Sequence, residues 1–185
     1  MNVINRFDNK YAFLSNFYES TVSYNGIVYQ NSEAAFQHAK CSNLSTDEQF
    51  KVIDRLFNKT KILIMPYVNR NDSNPLGTVF SKVNPSIAKR LGRAVPIRDD
   101  WDEVKYSIMN NIVYNKFNQH KDLRDKLLST GDAQLIEGNY WHDNTWGVCN
   151  CDKCAGMKGS NGNNNNLGKI LMDVREKLRN NLNLL

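Results

Sequence analysis

No stretch of this sequence approaches the roughly 20 consecutive apolar residues that a membrane-spanning helix requires. The first residues, MNVINRFDNK, lack the apolar segment of a secretory signal peptide. A P-loop, a G-x-G-x-x-G fingerprint and the residue order of a Ser-His-Asp triad are also missing. We therefore expect an intracellular, cytoplasmic protein with no membrane association and without these nucleotide-binding or serine-hydrolase motifs.

Cysteine is scarce, and so are blocks of one charge. Three of the four Cys fall within CNCDKC (149–154), which is typical of a metal site or of unpaired thiols in a reducing compartment, not of a disulfide framework. The net charge of +5 is spread along the chain, with Lys89, Arg90 and Arg93 as a modest cluster. This charge is compatible with a phosphate-bearing partner and equally with a solvated basic surface.

Apolar residues are plentiful, at 41% of 185 residues, and we expect a single domain over residues 1–185 with a sizeable core. Asn25-Gly26 lies between β-prone runs within 22–30 and predicts a hairpin. Helical spacing and capping residues predict helices over 31–40, 47–57, 84–92, 99–120, 121–131 and 166–182. The remaining expectations are a strand or a broken helix at 61–68, a loop at 71–77 and a strand at 134–138. The predicted fold class is α+β, mainly helical with a small β component.

Several residues are not explained by helical or strand periodicity alone. Glu33 opens a predicted helix directly after the hairpin, where it could simply complement the helix dipole. Asp143 lies between two Trp, where it could form an Asx turn or a cap. Ser15 and Asn16 lie among aromatic residues, in a segment that could be a core strand. Trp101 falls on the apolar stripe of its predicted helix and could belong to the core.

Seven segments follow one another along the chain: FLSNFY (13–18), YQNSEAAFQHAK (29–40), AKRLGRAVPIRDDWDEVKYSIM (88–109), KF (116–117), LLSTGDAQLIE (127–137), DNTWG (143–147) and NNLGKILMDVR (165–175). In this order they resemble the NADAR family, also called YbiA-like, over about residues 6–180. The resemblance implies a YbiA-like fold and an enzyme that hydrolyses the bond between a ribose anomeric carbon and a nitrogen. Substrates of family members are phosphorylated early riboflavin-pathway intermediates and ADP-ribose attached to guanine in nucleic acid.

The resemblance also implies site residues. The Ser-Glu helix start of the family matches Ser32-Glu33, so Glu33 is the leading catalytic candidate, and Asp143 of the Asp-x-x-Trp-Gly motif is the second carboxylate. The family motifs give as substrate-binding candidates Ser15, Asn16, Phe17, Trp101, Trp146 and Gly147, with Asn165 or Asn166 ahead of Leu167-Gly168. The chain departs from many members in having Ala34 where they have His, and its longer 47–80 segment could alter substrate choice.

These residue types suit the cleavage of a ribosyl C–N bond, which passes through a state with positive charge on the ribose. A carboxylate beside the anomeric carbon stabilises that charge and can accept a proton from the attacking water, so two carboxylates are sufficient. Trp101 and Trp146 offer faces on which a heterocycle can stack. Lys40 or Arg93 could bind phosphate, although Arg93 could equally pair with a surface carboxylate. We expect no metal or other cofactor to be required for catalysis.

Cys149, Cys151 and Cys154 supply three thiolates at a workable spacing for a structural zinc ion, which needs a fourth ligand. His142 or Cys41 could be that ligand, although neither lies at a standard spacing. The alternative is that the thiols only pack within the loop. Compact members of the family lack this cluster, so it is not expected to serve the shared chemistry.

The predicted function is an N-glycosidase. The basic charge favours removal of ADP-ribose from guanine in nucleic acid, or from a related ADP-ribosyl compound, over hydrolysis of phosphorylated riboflavin-biosynthesis intermediates. A non-catalytic module that binds ADP-ribose or a nucleotide is the alternative from another class, and the presence of both carboxylates argues against it. A small zinc-stabilised nucleic-acid-binding protein would need an aromatic and basic surface, which the sequence does not show. No obligate protein partner is expected.

Overall fold

The fold is α+β and mainly helical, as predicted, in a computed structural model that describes residues 2–154 and 164–182. Two compact units make up the chain: unit 1 comprises residues 1–18 and 117–185, and unit 2 comprises residues 19–116. The organisation as a single domain stays a prediction. Among the residues described, no helix combines the length and the apolar character needed to cross a bilayer.

Short strands lie before and after a run of consecutive helices, and a further helix follows the last strand of the described ranges. The strands are β1 (Val3–Ile4), β2 (Val22–Tyr24), β3 (Ile27–Tyr29), β4 (Gln134–Leu135), β5 (Gly138–Asn139) and β6 (Val148–Cys149). The helices are α1 (Ser32–Ala39), α2 (Thr46–Thr60), α3 (Pro75–Lys82), α4 (Pro85–Gly92), α5 (Trp101–Gln119), α6 (Lys121–Ser129) and α7 (Asn166–Leu182), with 3₁₀ helices at Asn9–Leu14 and Met65–Tyr67. All the helices predicted from the sequence are present.

The hairpin at the start of unit 2 is confirmed. Strands β2 and β3 are antiparallel, with Val22 opposite Tyr29. Asn25 and Gly26 form the turn with φ of 48° and 77°, the positive values that this two-residue turn requires. Val22 and Tyr29 are both buried, so one face of the hairpin covers the core of unit 2.

Helix α1 is the centre of unit 2, because every one of its residues is buried. Its alanines give it little bulk, and α3 and α4 both pack against it. The cap is Asn31: its Oδ1 accepts a hydrogen bond from the N–H of Ala34 at 2.8 Å. Its Nδ2 donates to the carbonyl of Val83 at 3.3 Å, which ties the start of α1 to the end of α3. These two hydrogen bonds fix the turn in which Glu33 lies.

The sequence predictions between α2 and α4 need correction. Segment 61–68 forms no strand; a single 3₁₀ turn at Met65–Tyr67 is closer to the broken helix. The loop predicted at 71–77 ends early, because α3 begins at Pro75. Proline is favourable at a first helical position, and the Asn74 side chain caps the helix by accepting from the N–H of Gly77 at 3.1 Å. Asn-Pro therefore starts a helix here.

Unit 1 contains two short parallel strand pairs, β1 with β4 and β5 with β6. The strand predicted at 134–138 is confirmed only for Gln134–Leu135, since Gly138 already pairs with Val148. The core strand considered around Ser15 is wrong, because the 3₁₀ helix Asn9–Leu14 leads into that residue. Helix α7 packs against α6 and β4 and supplies much of the buried apolar surface of this unit.

Candidate active site

Glu33 lies in the first turn of α1, where the helix N-terminus favours a negative charge. The residue is only 6% exposed. Its Oε1 accepts a hydrogen bond from Nε2 of Gln37 at 2.7 Å, one helical turn further on. Burial of a carboxylate is costly, and a charge that only complements a helix dipole can stay in water. Burial therefore argues against a role in helix stability alone, and the catalytic role of Glu33 stays a prediction.

Gln37 supports Glu33 and was not selected from the sequence. Its Oε1 is buried and has no hydrogen-bond partner among the described residues. Gly92, the last residue of α4, makes room for the amide: a Cβ at this position would overlap Gln37. The i, i+4 spacing from Glu33 is the one sequence signal that could have identified Gln37.

Lys40 is a cation near this carboxylate, and Arg93 is a cation near Lys40. Burial lowers the pKa of Lys40, and the Glu33 carboxylate opposes that shift while Arg93 adds to it. Nζ of Lys40 donates to the carbonyl of Gly92 at 3.3 Å. Arg93 is exposed, and it forms no ion pair with any carboxylate of residues 2–154 or 164–182. Positive charge is thus available close to Glu33.

Trp101 begins α5 and lies against α1. Its ring centroid is 5.1 Å from that of Phe36, with the two planes at 50°. Nζ of Lys40 lies 5.9 Å from the centroid of the Trp101 ring. The carbonyl of Lys40 accepts from the N–H of Arg98 at 2.8 Å, so the segment before α5 is fixed to the end of α1. The half-buried ring of Trp101 therefore packs on the core and remains in part accessible.

The loop 143–147 forms a second group of candidates, which belongs to unit 1. Oδ1 of Asp143 accepts from the N–H of Trp146 at 2.9 Å, the turn-forming contact that was considered for this residue. The buried side chain of Asn139 holds the same loop: its Nδ2 donates to the carbonyl of Asp143 at 2.8 Å, and its Oδ1 accepts from the N–H of Asp143 at 3.2 Å. Asp143 is half-buried, and its role in catalysis stays a prediction.

Gly147 is explained by close packing of backbone. A Cβ at Gly147 would meet the carbonyl of Glu137. The carbonyls of Trp146 and Gly147 accept from the N–H groups of Leu167 and Asn165 at 3.0 and 3.3 Å. Because the first N–H groups of a helix lack partners within it, loop 143–147 acts as the cap of α7.

The two Asn that precede Leu167 differ in their contacts. Asn165 has a φ of 50° and a buried side chain, which donates to the carbonyl of Leu135 at 2.8 Å and accepts from the N–H of Glu137 at 3.0 Å. Asn166 is half-buried and donates to the carbonyl of Thr145 at 2.6 Å. Asn165 therefore positions the backbone, whereas Asn166 contacts loop 143–147 and its role in substrate binding stays a prediction.

Ser15, Asn16 and Phe17 follow the 3₁₀ helix Asn9–Leu14 in unit 1. Oγ of Ser15 accepts from the N–H of Phe17 at 3.1 Å, and Asn16 is buried while Phe17 is exposed. These contacts shape a tight turn that presents Phe17. Their binding of substrate stays a prediction.

The three thiols of the Cys cluster converge on one imidazole. Nδ1 of His142 lies 3.2 Å from Sγ of Cys154 and 3.3 Å from Sγ of Cys151. The four potential ligand atoms, with Sγ of Cys149, all lie within 4.8 Å of one another. Cys41 is not in this group; it is buried in unit 2, where its thiol donates to the carbonyl of His38 at 3.4 Å. His142 is therefore the fourth potential ligand.

A pocket of about 420 Å³ opens in unit 2 between the hairpin and the junction of α3 and α4. It is lined by residues 19–21, 30–31 and 82–85, and none of the candidate site residues is among them. The pocket does not add to the predicted site.

Comparison with known proteins gives a consistent family. The NADAR domain model matches residues 4–179. A Nostoc punctiforme protein named as an N-glycosidase is 41% identical over 120 residues, which cover 64% of this chain and 70% of that protein. N-glycosidase YbiA of Shigella boydii is 38% identical over 98 residues, which cover 51% of this chain and 54% of YbiA. The chain thus spans about half the length of this YbiA relative.

Two further comparisons reach over most of the chain. A Vibrio vulnificus protein named as a riboflavin biosynthesis protein is 28% identical over 175 residues, which cover 93% of this chain and 37% of that protein. The NMR structure of Escherichia coli YbiA matches with a TM-score of 0.67 at 27% identity, covering 98% of this chain and 87% of that one. The fold is therefore similar to that of YbiA.

Proposed function

Because the chain belongs to the NADAR domain family, we propose that it is an N-glycosidase that hydrolyses the bond between a ribose anomeric carbon and a nitrogen. Relatives that carry the name N-glycosidase support an enzyme of the hydrolase class that acts on N-glycosidic bonds. The observation that carries the proposal is the environment of Glu33. Its carboxylate is nearly buried, accepts a hydrogen bond from Gln37 and lies close to Lys40.

Glu33 serves the reaction in two ways. As the C–N bond lengthens, positive charge grows on the ribose, and a carboxylate in a site with little water stabilises it more strongly than one in bulk water. The carboxylate also accepts the proton of the water that attacks the anomeric carbon, while the electron pair of the broken bond leaves with the base nitrogen. Gln37 keeps one oxygen of Glu33 in place for both roles.

The substrate carries phosphate in this proposal. The net charge is +5, Lys40 brings positive charge close to Glu33, and Arg93 adds positive charge close to Lys40. Trp101 provides a partly accessible aromatic face beside Lys40. We favour ADP-ribose linked to guanine in nucleic acid, or a related ADP-ribosyl compound. The second candidate is a phosphorylated riboflavin-biosynthesis intermediate, because a relative named for that pathway aligns over 93% of this chain.

The test is turnover of both substrate classes by the full chain. Guanine-ADP-ribosylated DNA and phosphorylated pyrimidine intermediates are incubated with the protein, and mass spectrometry identifies the released sugar and base. We expect cleavage at the ribosyl C–N bond, with the higher kcat/KM for the ADP-ribosylated substrate. A higher kcat/KM for the pyrimidine intermediates would favour the second candidate. Binding of either class without turnover would instead favour the non-catalytic module.

Glu33→Gln is the decisive variant. We expect kcat to fall by roughly 10²–10⁴, the range for a lost acid–base group, while the melting temperature stays close to that of the wild type because glutamine keeps the shape of the side chain. Glu103→Gln is the matched control, since Glu103 is an exposed acid in the first turn of α5. Near-normal turnover by Glu33→Gln would remove Glu33 from the catalytic role.

A further inference from the structure

Four potential metal ligands from one segment of unit 1 face one another. The ligand atoms of His142, Cys149, Cys151 and Cys154 lie within 4.8 Å of one another, and the shortest N···S separation is 3.2 Å. With Zn–S near 2.3 Å and Zn–N near 2.0–2.1 Å, tetrahedral zinc separates its ligand atoms by roughly 3.5–3.8 Å. The separations in the cluster, from 3.2 Å up to at most 4.8 Å, include this range.

The backbone brings these side chains together by separate means. The pairing of β5 with β6 places Cys149 opposite Asn139. A turn closed by the N–H of Cys154 on the carbonyl of Cys151, at 3.0 Å, brings the last two thiols to the same side. His142 has a φ of 64°, in the left-handed region that non-glycine residues adopt at a cost. In this conformation the imidazole faces the thiols. Binding of a metal ion would offset the conformational cost.

A neighbouring amide completes the surroundings of the cluster. Nδ2 of Asn144 donates to Sγ of Cys154 at 3.3 Å. Such outer hydrogen bonds orient ligands and stabilise thiolates at metal sites. Cys149 and Cys154 are buried, so their thiols are shielded from solvent.

We propose that His142, Cys149, Cys151 and Cys154 bind one structural Zn²⁺ ion. Zinc suits a tetrahedral set of thiolate and imidazole ligands, whereas calcium and magnesium prefer oxygen. All four positions are filled by protein, which leaves no open position for a water nucleophile and makes the ion structural. This inference stands without the N-glycosidase activity, because it concerns only the ligand set.

The proposed ion stabilises loop 143–147. His142 immediately precedes this loop and Cys149 follows it by two residues, so the ion joins the two ends. Asp143, Trp146 and the carbonyls that cap α7 lie between the joined ends. Release of zinc is therefore expected to loosen the loop and the start of α7 together.

The first experiment measures metal content. The full chain, purified under reducing conditions without chelator, is analysed by inductively coupled plasma mass spectrometry, and we expect about one zinc per chain. Exchange with Co²⁺ should give the absorption bands of a tetrahedral cobalt–thiolate site. Removal of the metal should lower the melting temperature by roughly 5–10 °C, since a tightly bound ligand stabilises only the folded state, and added zinc should restore it.

Variants then test the ligand set. Cys151→Ser and His142→Ala should lose most of the bound zinc, whereas Cys41→Ser, outside the cluster, should keep it. His142→Cys should also keep it and should shift the cobalt bands towards a four-thiolate site, a result that does not depend on how well the other variants fold. Absence of zinc from the reduced wild-type protein, or full zinc retention by a triple Ser variant of the three cluster cysteines, would overturn the proposal. So would a disulfide among these cysteines in the purified protein.

Discussion

The absence of a side chain at Gly92, in α4, is explained by a contact with α1. A Cβ at Gly92 would overlap the side chain of Gln37, which holds Glu33. We expect Gly92→Ala to lower the free energy of unfolding by about 1–3 kcal/mol, as overpacking does, and to lower kcat through a displaced Gln37. Urea unfolding and steady-state kinetics measure the two effects.

The double variant Gly92→Ala/Gln37→Ala provides the control for this prediction. It should regain part of the lost stability, because the overlap is gone, but it should not regain kcat. Equal recovery of both quantities would show that the amide of Gln37 has no part in the site.

Asp143 can act as a turn residue, as a catalytic carboxylate or as both, and two substitutions separate these roles. Asp143→Asn retains an oxygen that can accept from the N–H of Trp146; Asp143→Ala does not. If the carboxylate is catalytic, Asn keeps the melting temperature and lowers kcat by roughly 10²-fold or more. If the role is structural, Asn is close to wild type, while Ala loses about 1–3 kcal/mol of stability from the unpaired N–H. Calorimetry and kinetics on the same samples distinguish the two.

His38 gives unit 2 a pH-dependent stability. Burial lowers its pKa from 6.5 to about 4, while its Nδ1 shares a hydrogen bond of 2.7 Å with the hydroxyl of Tyr29. A folded-state pKa below the unfolded value means that the unfolded chain binds more protons, so stability is complete above pH 6.5 and is lost as pH falls towards 4. The loss amounts to roughly 3 kcal/mol at most, from about 1.4 kcal/mol for each pKa unit.

Urea unfolding at several pH values between 7 and 4 measures this loss. His38→Gln should remove it, and the difference between the two proteins isolates His38 from the carboxylates that titrate in the same range. Parallel pH curves for the variant and the wild type would assign the acid sensitivity to other groups.

Among the elements, α1 has its N-cap, Asn31, and the candidate catalytic residue, Glu33, in the same turn. Asn31→Ala removes the bonds to Ala34 and Val83 and is expected to cost about 1–2 kcal/mol. Because Glu33 lies in the turn that Asn31 caps, kcat should fall as well. Ser45→Ala is the matched control, since Ser45 caps α2 through an exposed capping box. It should lose similar stability with kcat nearly unchanged, and equal kcat in both variants would contradict this coupling.

The elements that could be predicted carry their signals locally. Asn25-Gly26 determines its turn by itself, and helices such as α5 and α7 repeat their apolar residues over several turns. Helix α3 was missed because Asn74-Pro75 is also a common turn sequence. Only two hydrogen bonds distinguish the helix from a turn: Gly77 N–H donates to Asn74 Oδ1, and Leu76 N–H donates to Gln49 Oε1. The strands of unit 1 are two residues long, too short for an alternating pattern, and β1 pairs with the distant β4, so no local pattern marks them.

The candidate site was predictable to a similar degree. Glu33 was selected through the resemblance to the NADAR family, and the thiol cluster through the close spacing of its three Cys; the catalytic role of Glu33 stays a prediction. Gln37 and Asn139 were not selected, since a buried amide that positions a neighbour has nearly the same sequence signature as an amide at the surface. Asn165 was named only as an alternative to Asn166, and its positioning contacts with the backbone had no sequence signal. Their roles follow from contacts across the fold and not from composition.

The charge of the whole molecule gives a test that separates the substrate candidates. If the +5 charge helps to bind nucleic acid, log kcat/KM for ADP-ribosylated DNA should fall linearly with log salt concentration, with a slope of roughly 0.7–0.9 for each phosphate contacted. A free phosphorylated pyrimidine should show a much smaller slope. Sodium chloride titrations of both reactions measure the slopes, and a flat response with DNA would leave the charge without a role in recognition.

Unit 1 is built from both ends of the chain, whereas unit 2 is continuous from 19 to 116. During synthesis on the ribosome, unit 2 can therefore form while the rest of the chain is still being made. Strand β1 must wait, because Val3 pairs with Gln134. The residues of β1 are thus made before unit 2 but can pair only after Gln134 has been made, and until then they are available to chaperones and to mispairing.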